Sequence, residues 1–348
     1  DLPSAMHEDS YASDISNMQG PVPENAKVQY FQVREKGEEF SGMCPSFAFV
    51  DEFTMVTLSF GRKNTSLLLL DITDTIKILD AIIIPGRGHK AMELAGKKKR
   101  MALFRSTSGG AYFFLSKANE VIIPGPEYSI FYIPITNKKF ERGRMVTYDI
   151  MEEIEKGDLL VDGISDNEGR NKLTAVMPDA QGNIWYTSKM GVIGVIDLQN
   201  FKKGDYQDKG ICPKTYSFYI GGFGLLRKIE HYFGKKYDRL EDVEFYKEGM
   251  TDVEYRKQFR EYFMLDPETR EEIQNSFAVG PDGVYIVSNI ALYKFRFNDK
   301  TKQIELDPKW SETFQESGDL IYPNDGTQKK GHLNDGSGTT PTLMDDRF

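Results

Sequence analysis

The side chains best suited to chemistry fall in a few short stretches. The densest is near the start of the chain, where His7, Glu8, Asp9 and Asp14 lie within residues 7–14. Imidazole and carboxylate together suit a polar pocket or a metal site, provided that this segment packs across the centre of a larger body. His89 in PGRGHK and His332 in KKGHLNDGSG lie in loops, where a histidine can serve as a general base. The chain has four histidines and no HExxH pattern, which argues against a zinc hydrolase. GGFGLLRK (221–228) would turn backbone N–H groups toward an anion at a helix start. It lacks the Gly-Lys-Ser/Thr ending of a P-loop and the G-x-G-x-x-G spacing of a dinucleotide site. GSGTTPT (336–342) offers the hydroxyls of Thr339 and Thr340 but no identifiable base, and small side chains on a crowded inner strand account for it better. Cys44 and Cys212 sit in no CxxC motif, so they are either one long-range disulfide or two separate buried thiols.

The elements that must position these residues repeat along the chain. Thr174–Ile196 reads TAVMPDAQGNIWYTSKMGVIGVI, and Ser276–Phe295 reads SFAVGPDGVYIVSNIALYKF. Each is a short apolar strand, an Asp-Gly-type turn, a second strand, a small-residue break and a third strand. SFAFV, FTMVTLSF, SLLLLDI and KILDAIII form an earlier unit; AYFFL, EVIIP and SIFYIPI form another, opened by MALFRS. TPTLM (340–344) opens a fifth. The turns lie near positions 51, 117, 179, 282 and 346, at intervals of about 66, 62, 103 and 64 residues. Such regularity marks a repeat architecture.

The long interval isolates a foreign element. Residues 225–263 carry apolar side chains at helical spacing: Leu225, Leu226, Ile229, Tyr232 and Phe233, then Tyr255, Phe259, Tyr262 and Phe263. This predicts a helical insertion. Its aromatics Tyr232, Phe233, Tyr255, Phe259, Tyr262 and Phe263 are the candidates for docking a partner; a lid over the scaffold is the second reading. The expected fold is all-β: a β-propeller of six to eight blades when complete, about four and a half of them in this chain, with the helical insertion. Residues 1–45 are an irregular segment on the propeller, and VQYFQVRE within it is a candidate for ring closure. Residues 46–222 hold blades 1–3, 223–270 the insertion, and 271–348 blade 4 and the start of blade 5. A half-blade leaves an unpaired strand edge, so the expectation is a longer polypeptide.

Composition narrows the function classes. Hydrophobic content of 39% and aromatics at 12% exclude a disordered chain. A net charge of −9 argues against nucleic acid, and KKKR (97–100) reads as a solvated turn. No apolar run reaches the length of a membrane span.

The stretch TAVMPDAQGNIWYTSKMGVIGVID resembles the blades of YncE-like, SMP-30/gluconolactonase-like and strictosidine-synthase-like propellers. HEDSYASD (7–14), CPSFAF (44–49), GAYFFL (110–115), QNSFAVGPDGVYIVSNIALYKF (274–295) and GSGTTPTLM (336–344) are similar to a group of uncharacterised bacterial propeller proteins. The resemblance implies a propeller without an established activity; the insertion departs from it. With the start at Asp1 it implies a secreted or periplasmic protein. SMP-30-like propellers hold calcium at the axis through Asn, Asp and Glu at the starts of inner strands. By that likeness Asn275 is the metal candidate, with Asp9 if the N-terminal segment reaches the axis. His7, Asp9, Asp14, Asn275, Thr339 and Thr340 are then the axial pocket candidates. The leading expectation is a non-enzymatic scaffold or subunit that binds a protein partner, or a further part of its own polypeptide, through loops and the insertion. The second is a calcium-dependent hydrolase or small-molecule-binding propeller. Metal content and assembly mass discriminate between them.

Overall fold

The structure is a computed structural model that describes residues 42–61, 65–84, 112–125, 129–150, 173–189, 191–197, 215–220, 273–288, 291–307, 309, 312–313 and 340–344. Four antiparallel sheets account for nearly all of them. Blade 1 is β1 (Gly42–Asp51), β2 (Thr54–Gly61), β3 (Thr65–Asp71) and β4 (Lys77–Ile83), paired in that order. Blade 2 is β5 (Phe114–Leu115), β6 (Glu120–Pro124) and β7 (Ser129–Thr136), with β8 (Lys139–Phe140) and β9 (Val146–Asp149) both on the outer side of β7. Blade 3 is β10 (Leu173–Pro178), β11 (Ile184–Ser188), β12 (Val192–Ile196) and β13 (Thr215–Tyr219). Blade 4 is β14 (Ala278–Gly280), β15 (Gly283–Val287), β16 (Ala291–Asn298) and β17 (Gln303–Leu306), with β18 (Glu312–Thr313) also on β16. Consecutive up-and-down sheets stacked face to face are the blades of a β-propeller.

In blades 1, 2 and 3 the turn after the inner strand is set by a side chain that replaces backbone partners. Asp51 Oδ1 accepts the Phe53 amide at 2.9 Å. Ser116 Oγ accepts the amides of Ala118 and Glu120 at 3.2 and 3.1 Å. Asp179 Oδ1 accepts those of Gln181 and Asn183 at 3.0 and 2.9 Å. These are the Asx- and Ser-type turns that the sequence repeat announces. In blade 3 the turn closes at Gly182, whose φ of +88° suits glycine. The β7–β8 hairpin instead has Asn137 and Lys138 at φ +50° and +58°, a type I′ geometry without glycine.

Two apolar layers join the blades. Between blades 1 and 2 lie Ala48, Val56, Leu58, Leu67, Leu69 and Ile82 against Phe113, Leu115, Val121 and Ile133. A second layer runs through blades 2, 3 and 4 and includes Phe114, Tyr132, Trp185, Tyr186, Ile193, Phe277, Val279 and Phe295. Sandwiched strands are apolar on both faces, so β12 (VIGVI) is buried throughout. Gly194 in its centre is required by packing. A Cβ there would stand 1.9 Å from Tyr186 Cζ, because the buried Tyr186 ring lies across the glycine that pairs with it.

Charged contacts join the outer strands of neighbouring blades. Arg142, in the 3-10 turn Arg142–Arg144, grips Asp80 of β4 with both nitrogens, at 3.0 and 2.8 Å. Lys302, just before β17, reaches the buried Asp197 after β12 at 2.8 Å.

Several sequence expectations need adjusting. β1 starts at Gly42, four residues ahead of the expected Ser46. The outer strands β9, β13 and β17 were not anticipated. Residues 340–344, the expected opening of blade 5, carry no strand pairing, and Leu343 lies against Gly280 of β14. Cys44 is an exposed free thiol, so it is neither buried nor bridged. The helical insertion, VQYFQVRE, MALFRS and Cys212 fall outside the described residues.

Candidate functional site at the mouth of the inner strands

The segments that lead into the inner strands converge. Tyr112 precedes β5 of blade 2, and Asn275 precedes β14 of blade 4. Although 163 residues apart in sequence, they meet: the Tyr112 hydroxyl donates to Asn275 Oδ1 at 3.1 Å. Blade 3 contributes through the turn after β11. Its Lys189 carbonyl accepts the Ile273 amide at 2.9 Å, and its Nζ donates to Gln274 Oε1 at 3.2 Å. Lys189 and Gln274 are both buried, and Asn275 and Tyr112 are half-buried. Burial pushes the Tyr112 phenol above its ordinary range, so it stays a neutral donor to the Asn275 amide oxygen.

The site therefore combines two amides, a phenol and an ammonium. These groups orient and hydrogen-bond. The Lys189 ammonium bonds Gln274, the residue before Asn275. Among the described residues, no three His, Cys, Asp or Glu side chains group as a metal site.

Of the axial candidates, Asn275 stands ahead of β14 and is engaged by Tyr112. Thr340 is half-buried; its hydroxyl oxygen is enclosed and meets no hydrogen-bond partner among the described residues. His7, Asp9, Asp14 and Thr339 lie outside the described residues, as do Tyr232, Phe233, Tyr255, Phe259, Tyr262 and Phe263. Sequence reasoning missed Tyr112, Lys189 and Gln274. Tyr112 stands two residues before β5 and Gln274 four before β14; in the sequence Tyr112 reads as part of the strand AYFFL, so no local signal marked it.

Asp179 is a buried carboxylate of a different kind. Besides the two amides, its Oδ2 accepts from Asn183 Nδ2 at 3.1 Å and Trp185 Nε1 at 2.9 Å. Burial pushes its pKa up, against the pull of the bonds from Trp185 and Asn183. With both oxygens engaged inside its own turn, it organises blade 3 rather than facing a ligand.

Among the described residues, no helix is long and apolar enough to cross a membrane. No family model matches the chain. No curated protein sequence matches it. Among solved structures it is similar to the crystal structure of Kluyvelomyces marxianus Hsv2, at 9% identity over 79% of this chain and 74% of that one, with a TM-score of 0.28. The propeller assignment rests on the order and stacking of the four sheets themselves.

Proposed function

We propose that the chain is a non-enzymatic propeller scaffold or subunit, which binds a protein partner through its rim loops and the helical insertion expected at 223–270. The observation that carries this reading is the state of Asn275. Its side-chain oxygen accepts from the Tyr112 hydroxyl of blade 2, with the Lys189–Gln274 pair of blades 3 and 4 beside it. That supports a mouth built to tie blades 2, 3 and 4 together, leaving recognition to the loops on the rigid β-scaffold.

Two measurements test it. A functional calcium site at a hundred times its dissociation constant would add about 2.7 kcal/mol to stability. Thermal melts with calcium and with chelator should therefore coincide; a stoichiometric calcium that raises the melting temperature would return the hydrolase reading. Light-scattering mass should fall, or a bound partner be lost, on deletion of residues 225–263. An unchanged assembly state in a folded deletion variant would sink the docking role.

A further inference from the structure

We draw no further inference here: the strongest candidate, the buried polar cluster around the β10–β11 turn of blade 3, where Asn183 Oδ1 meets no hydrogen-bond partner among the described residues, carries nothing, because Asp179 is engaged within its own turn and Lys302 already faces Asp197, so no second open group among the described residues defines a ligand.

Discussion

Substituting Gly194 by Ala tests the packing of blade 3 directly. The added Cβ would stand 1.9, 2.2 and 2.3 Å from Cζ, the hydroxyl oxygen and Cε2 of Tyr186. Carbon atoms settle at about 3.5 Å or more, so the ring has to retreat by roughly 1.6 Å. It has nowhere to go, because Tyr186 is fully buried and β11 and β13 hold Gly194 on either side. Overpacking a well-filled interior costs about 1–3 kcal/mol, and a clash this close belongs at about 3 kcal/mol. The assay is urea unfolding followed by circular dichroism for the wild type, Gly194→Ala, Tyr186→Ala and the double variant. Without the ring, alanine replaces glycine in a strand interior, where glycine is disfavoured by about 0.5–1 kcal/mol. Gly194→Ala should therefore be neutral or stabilising in the Tyr186→Ala background, giving a coupling energy of about 3 kcal/mol. If the substitution costs under about 0.5 kcal/mol in the wild type, or costs the same in both backgrounds, the ring does not lie across Gly194 and the reasoning fails.

Other contacts make equally direct predictions. Asp179→Ala strips acceptors from Trp185 Nε1 and from the Gln181 and Asn183 amides, and should cost about 3 kcal/mol or more in urea unfolding. Asp179→Asn, which keeps one acceptor, should cost less; equal losses would contradict the network. For Asp80, burial works to raise the pKa, but bonds from Arg142 and from the Phe140 and Ala81 amides outweigh it and hold the carboxyl below its ordinary value. Its contribution is therefore present above the unfolded carboxylate value and is lost as pH falls through the folded one. Melts from about pH 6 to about pH 2 should show a shallower acid loss for Asp80→Asn than for the wild type, and parallel curves would refute the pairing. Lys302→Met withdraws an ammonium from the buried Asp197 carboxylate and should lower the melting temperature, with partial recovery in the Asp197→Asn, Lys302→Met double variant.

The inner hairpins of blades 1, 2 and 3 were legible because their turns are written in local chemistry. Asp51, Ser116 and Asp179 each bond amides two to four residues ahead, and apolar runs flank them. The outer strands were not legible. VTYD, TYSFY and QIEL are short, lie at sheet edges and owe their strand character to pairing with β7, β12 and β16 rather than to their own pattern. The site divides in the same way. Asn275 could be picked out because it stands directly before a recognisable inner strand. Its partner Tyr112 could not, since that pairing exists only once intervening blade 3 has folded and brought distant segments together. Lys189 reads in sequence as an ordinary turn lysine, and only burial beside Gln274 gives it a role.

The charged contacts between blades have a mechanical meaning. Asp80–Arg142 and Asp197–Lys302 both lie toward the perimeter of the wheel, whereas the apolar layers and the Tyr112–Asn275 bond hold nearer the hub. Arg142 and Lys302 are partly open to solvent, so their pairs weaken with salt, while buried apolar contact does not. Raising ionic strength therefore slackens the circumference first. Salt thus separates the two kinds of contact, acting on the outer ion pairs and sparing the apolar layers nearer the hub.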